Sequence, residues 1–115
     1  MQAQEPFSIE SQPGSRPEIR IIKVSGPLLL QHVFAFQDEL RGETTPITIL
    51  DLSHVEYMDS AGMGAIINCY VSCQKNGRKL IVTGVSDRIK ALFTLTHVDT
   101  LIPTKPTIAD AEASI

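Results

Sequence analysis

An apolar run of strand length, Ile47-Thr48-Ile49-Leu50-Asp51-Leu52, gives way a few residues later to a helical pattern. This change of period restricts the fold more than any other feature of the chain. From about Ser60, the residues Met63, Ile66, Ile67, Tyr70 and Val71 fall at i, i+3, i+4, i+7 and i+8, one face of an amphipathic helix. Asn76-Gly77 closes it, since glycine readily takes the left-handed turn that ends a helix. A second β-rich run, Lys79 to Thr83, follows at once. Strand, helix, strand in this order is the pattern of a parallel sheet joined by right-handed helical crossovers.

The alternation extends in both directions. Phe7 to Ser11 is expected as a short edge strand, and Pro13-Gly14-Ser15-Arg16 as a turn into a second strand, Glu18 to Val24. Ser25-Gly26-Pro27 ends that strand. Pro27 suits the first turn of a helix with apolar positions Leu30, Val33, Phe34 and Leu40, stopped by Gly42. Beyond Thr83, Ser86-Asp87 can cap a helix carrying Ile89, Leu92 and Phe93. Thr100-Leu101-Ile102 reads as a short last strand and Pro103 to Pro106 as a connector. Thr107 begins a final helix with Ile108, Ala111 and Ile115 on one face. The fold class is therefore α/β, a mixed, mostly parallel sheet of about five strands with about four helices. Residues 1–6 are expected as an N-terminal tail and residues 7–115 as one domain.

Composition narrows the function. Ten Lys and Arg against 13 Asp and Glu leave a formal charge of −3, without the basic footprint of a nucleic-acid binder. No apolar run approaches the roughly 20 residues that a membrane-spanning helix needs. The first residues, Met1 to Pro6, carry no basic cluster leading into an apolar stretch, so no secretory signal is expected. The expectation is a cytoplasmic protein with neither nucleic acid nor membrane as partner. Cys69 and Cys73 stand four apart in a helix, where a bridge is disfavoured, and read as packing residues. His32, His54 and His97 show no ligand-like spacing, so no metal or other cofactor is expected.

The site-like segment is Asp51-Leu52-Ser53-His54-Val55-Glu56-Tyr57-Met58-Asp59-Ser60-Ala61-Gly62-Met63-Gly64. A buried strand runs into a loop that delivers Asp59-Ser60 to a helix start, at the sheet end where ligands and partners gather. The Ser60 hydroxyl is expected near the unpaired N–H groups of the first turn, including those of Gly62 and Met63. Gly62 and Gly64 lack a Cβ, so another backbone or a phosphate can come close. A phosphoryl group here adds about −1.5 to −2 charges, which the helix dipole tolerates. A plain N-cap accounts for the same Asp-Ser pair with no further role. A hydrolase nucleophile elbow wants glycine two residues before the serine, where this chain has Met58, and no partner histidine can be placed. A phosphate-binding loop wants a Gly-Lys-Ser/Thr ending, which is absent.

Asp51-Leu52-Ser53 followed by Met58-Asp59-Ser60-Ala61-Gly62-Met63-Gly64 resembles the signature of STAS domains, in particular the bacterial anti-sigma factor antagonists. The resemblance extends to Val24-Ser25-Gly26-Pro27-Leu28, to Lys75 through Val82, to Leu92 through Thr96 and to Asp99 through Ile102. It implies a STAS-like fold and a protein that binds an anti-sigma factor serine kinase, freeing a sigma factor. The kinase would phosphorylate Ser60 and so release the antagonist, and a PP2C-type phosphatase would restore it. The protein would then be a substrate and binding module, not an enzyme. Asp59, Ser60, Ala61, Gly62, Met63 and Gly64 would form the partner-binding surface, with Asp59 orienting the loop. Met63 suits the core by spacing and the interface by position, and the expectation leans to the interface because methionine adapts to a partner. Many family members carry an aspartate where this chain has Leu29, which removes a carboxylate from beside the serine. One rival is a STAS subunit of a lipid-transport or stress-sensing assembly, in which the serine serves a static interface. The other is a small hydrolase using Ser60.

Overall fold

The computed structural model describes residues 7–41 and 44–115. In chain order the elements are β1 (Ser8–Pro13), β2 (Ile19–Ser25), a single 3-10 turn at Leu30–His32 and α1 (Val33–Arg41). They continue with β3 (Ile47–His54), α2 (Ser60–Lys75), β4 (Lys79–Thr83) and α3 (Asp87–Leu95). A second 3-10 turn at Val98–Thr100, β5 (Thr104–Lys105) and α4 (Ile108–Ala113) complete the fold. The proposed tail, residues 1–6, and the helix stop at Gly42 lie outside the described residues.

The five strands lie in the order β1-β2-β3-β4-β5, antiparallel for the first pair and parallel thereafter. The hairpin closes where the Gly14 N–H donates to the Ile19 carbonyl at 2.9 Å. From β2 onward the sheet grows in one direction only, so right-handed crossovers put α1, α2 and α3 on the same face. The strand side chains sort accordingly, because successive residues point to opposite faces. Ile22, Val24, Leu50, Leu52, Leu80 and Val82 face the three helices and pack with Phe36, Ile66, Ile89 and Phe93. Ile19, Ile21, Ile47, Ile49 and Ile81 face the other way, where Ala111 and Ile108 of α4 cover them. α4 has only six residues, and beyond its reach the same face turns polar. Buried Asp51 there accepts from the Ser53 hydroxyl at 2.9 Å and the Thr83 hydroxyl at 3.0 Å.

Two expectations about elements are corrected. The last strand is Thr104–Lys105, inside the stretch read as a connector, and the stretch read as that strand is turn instead. Val98 and Ile102, four apart, point into the core from this turn and act as anchors. Lys105 precedes Pro106, which pushes it to extended backbone and into the ladder with Thr83. The first helix is also shifted. The chain stays extended from Pro27 through Leu29, with Leu28 bridged to Met58, and turns only at Leu30. This delay rotates the helix, so Phe36 is buried with Val33 and Leu40 beside it, whereas Leu30 and Phe34 are 66% and 76% exposed. Smaller departures are Val71 of α2 and Ile115 after α4, both at the surface. Cys73 is buried and Cys69 half-buried, and neither is in a disulfide.

α2 approaches the extended segment so closely at Gly62 that a Cβ there would overlap the Leu28 carbonyl oxygen. A Cβ at Gly64 would meet nothing within 4 Å. Gly62→Ala is therefore expected to cost about 1–3 kcal/mol through overpacking against backbone. Gly64→Ala should be neutral or stabilising by up to about 1 kcal/mol, from helix propensity alone. Urea denaturation of the two variants checks the contrast, and equal stabilities would remove the close approach as its cause.

Candidate functional site

β3 carries the chain to His54, and a short loop brings it to the head of α2. Val55 and Met58 turn inward and are buried, which fixes the loop from below. The loop is joined to the segment before α1 by backbone bonds: the Leu28 N–H donates to the Tyr57 carbonyl at 3.2 Å, and the Asp59 N–H to the Leu28 carbonyl at 3.3 Å.

Asp59 is the N-cap of α2 and has extended backbone. Its Oδ1 accepts the Gly62 N–H at 2.9 Å and its Oδ2 accepts the Leu30 N–H at 3.0 Å. One carboxylate thus caps α2 and ties it to the start of the first helix. The Gly62 N–H, opposed by burial and assisted by the Leu30 N–H, holds the Asp59 carboxyl below its ordinary range.

Ser60 is the first helical residue and is exposed. The expected contact of its hydroxyl with first-turn amides is corrected: Asp59 takes the Gly62 N–H with its side chain and the Met63 N–H with its carbonyl, at 3.0 Å. The Ser60 hydroxyl has no hydrogen-bond partner among the described residues. His54 Nδ1 lies 3.3 Å from the Ser53 hydroxyl, a Ser–His contact that does not involve Ser60. Ser53 itself is exposed near the end of β3.

The six residues expected as a partner-binding surface divide in two. Asp59, Ser60, Ala61 and Gly64 reach the surface to different degrees, whereas Gly62 and Met63 are buried. Met63 is 5% exposed and packs in the core, against the expectation that it leans to the interface. Its i+3 spacing to Ile66 decides this, because both lie on the face of α2 turned to the sheet.

Exposed neighbours missing from the sequence reading complete the surface. Leu30 and Phe34 stand one helical turn apart on the first helix, beside the Leu30–Asp59 hydrogen bond. The Arg88 guanidinium lies 5.6 Å from the centroid of the Tyr57 ring. The signal in the sequence is the i, i+4 spacing of Leu30 and Phe34, which a core face and an exposed apolar face share. Leu29 is half-buried and extended, one residue from the amide that Asp59 accepts.

A sheet wound in one direction, with an Asp-Ser-x-Gly-x-Gly turn at the head of its second crossover helix, defines the class of STAS domains. The STAS domain model matches residues 12–111, and the chain belongs to that family. It is 33% identical over 84 residues to the anti-sigma-B factor antagonist of Staphylococcus aureus, covering 70% of this chain and 78% of the relative. Among solved structures, an anti-sigma factor antagonist from Mycobacterium paratuberculosis superposes with a TM-score of 0.82 at 22% identity, covering 98% of both chains. A sulfate transporter family protein from Wolinella succinogenes gives 0.72 at 27% identity, covering 84% of each chain. The phosphorylated form of the Bacillus cell fate determinant SpoIIAA gives 0.71 at 16% identity, covering 95% of this chain and 98% of that one, and so shares the fold.

Asp59→Ala removes a cap and leaves two amides without their acceptor, which is expected to cost about 1–2 kcal/mol at pH 7. The folded-state pKa of Asp59 is depressed, so its contribution is full above the unfolded value and fades as pH falls below about 4. Urea denaturation at pH 7 and pH 3 should show the stability gap between wild type and variant narrowing at the lower pH. An unchanged gap would assign the effect to packing rather than to the carboxylate charge.

Proposed function

We propose that this protein is an anti-sigma factor antagonist that binds an anti-sigma factor serine kinase and is released when that kinase phosphorylates Ser60. The reading rests on one observation: Ser60 stands exposed at the helix head with its hydroxyl uncommitted, while Asp59 does the capping. A serine needed for its own helix would hold an amide, and this one does not. The relatives named anti-sigma-B factor antagonists support the partner class.

Unphosphorylated, the surface offers a neutral hydroxyl next to Asp59, Ala61 and Gly64, with the apolar side chains of Leu30 and Phe34 alongside. Gly62 and Met63 act beneath it, setting its shape. Phosphorylation places about −1.5 to −2 charges on a surface fitted to a neutral group. The positive end of α2 offsets part of that charge, and solvent screens its repulsion from the Asp59 carboxylate. The domain therefore keeps its fold while the partner is lost. A PP2C-type phosphatase restores the hydroxyl. In this reading the protein acts in the cytoplasm as substrate and binding module rather than as enzyme.

A second reading is a static STAS subunit of a lipid-transport or stress-sensing assembly, and likeness to the sulfate transporter family protein of Wolinella succinogenes supports a place in a transport assembly of some kind. Affinity capture from the native cell separates the two. A kinase of the histidine-kinase-like ATPase fold supports the switch, and transport components support the assembly.

Incubation with the captured kinase and ATP, followed by peptide mass spectrometry, is expected to place the phosphate on Ser60. Modification mainly at Ser53, Ser72 or Ser86 would overturn the proposal. Ser60→Asp should weaken kinase binding about tenfold or more, the effect of about 1.4 kcal/mol. Its circular dichroism and melting temperature should match wild type.

A further inference from the structure

Two exposed features of different chemistry flank the head of α2. On the α1 side, Leu30 and Phe34 are 66% and 76% exposed and stand one helical turn apart. The Leu30 N–H, held by Asp59 Oδ2 at 3.0 Å, fixes this pair beside Ser60. On the α3 side, the Ser86 hydroxyl donates to the Glu56 carbonyl at 3.3 Å and ties the start of α3 to the loop. There the Arg88 guanidinium lies 5.6 Å from the centroid of the Tyr57 ring, which is itself partly exposed.

Arg88 has this ring for a neighbour and, among the described residues, no carboxylate in ion-pair range. Glu56 and Asp87 are exposed close by in the chain, yet neither pairs with it. A guanidinium drawn to an aromatic ring still carries five N–H donors in a planar fork that matches a carboxylate. Between the loop and α3 lies a notch of about 280 Å³, lined by Tyr57, Met58, Arg88, Ile89 and Leu92. It is smaller than an ordinary small-molecule site and of a size for one side chain. The surface is thus apolar on one side of Ser60 and offers an open guanidinium on the other.

We propose that the anti-sigma factor meets this protein through two anchors flanking Ser60: an apolar pocket that receives Leu30 and Phe34, and a carboxylate that pairs with Arg88 beside the Tyr57 ring. The inference rests on the partner-switch reading and adds to it what the partner must present. Aromatic and arginine side chains are the usual anchors of protein interfaces, and burial of the apolar pair supplies affinity without sensing charge. A phosphate on Ser60 repels the partner's carboxylate, so the sign of charge that Arg88 selects is the sign that the switch rejects.

The test is calorimetric titration of the full chain with the purified kinase obtained by affinity capture. Phe34→Ala and Arg88→Gln are each expected to weaken binding about tenfold or more. Arg88→Lys should keep most of the affinity that Arg88→Gln loses, because the cation remains. Leu95→Ala removes a similarly exposed side chain from the far end of α3 and should leave affinity unchanged. All four variants should melt within about 3 °C of wild type, as surface substitutions do. Wild-type affinity in either Phe34→Ala or Arg88→Gln, with Ser60→Asp still weakened, overturns the proposal and leaves the switch reading standing. A loss in Leu95→Ala as large as in Phe34→Ala overturns it equally, as does a lower melting temperature for Phe34→Ala, which would assign that side chain to the fold. If no kinase is captured, or Ser60→Asp binds it as tightly as wild type, the switch reading fails and this inference with it.

Discussion

The Asp59 carboxylate joins parts of the chain that are far apart in sequence. One oxygen completes the first turn of α2, and the other holds the amide that opens the turn before α1. Backbone bonds from Leu28 to Tyr57 and Asp59 run alongside, and Gly62 lets the helix settle onto Leu28. Without a side chain at Gly62 the helix comes close enough for the carboxylate to reach both amides. The position of Ser60 follows from this arrangement, because Ser60 is the next residue along a helix whose first turn is fixed on two sides. The serine itself contributes no hydrogen bond to it.

The winding of the sheet explains why the exposed residues gather there. With β2 to β5 laid down in one direction, each crossover helix begins at the same end of the sheet and lies on the same face. The starts of the first helix, α2 and α3 therefore come near one another. Ser86, which caps α3, also reaches the Glu56 carbonyl at 3.3 Å and so holds the loop from the third side. Among the described residues the opposite face has only α4, and its polar half is closed by hydroxyl bonds to Asp51 rather than by apolar packing.

Much of this was legible in the sequence, for identifiable reasons. β2, β3, β4, α2 and α3 follow from period and punctuation: the strands are apolar runs buried on both faces, and the helices each bury one apolar face. Ser86 as the cap of α3 and Gly77 at the end of α2 are local chemistry, and φ is +69° at Gly77. β5 was not legible, because its two residues are held by their neighbours and by Pro106 rather than by any pattern of their own. The outward turn of Leu30 and Phe34 was hidden by Pro27, which suits a helix start but here sits in extended chain paired to the loop. Asp59 was readable as an orienting residue, but its second bond, to Leu30, crosses 29 positions and depends on tertiary structure. The burial of Met63 follows from its spacing to Ile66 alone, whatever its place in the motif.

The brevity of β5 has a consequence for how the molecule meets other chains. Its inward-facing carbonyls are those of Pro103 and Lys105, which accept the N–H groups of Val82 and Gly84 at 3.0 and 3.3 Å. The positions facing outward are then 104 and 106, and Pro106 has no N–H to give. This border of the sheet thus offers a lone amide donor, too few for another strand to add alongside. Crowded together at high concentration, copies of this domain are poorly equipped to stack border to border into fibres from that side.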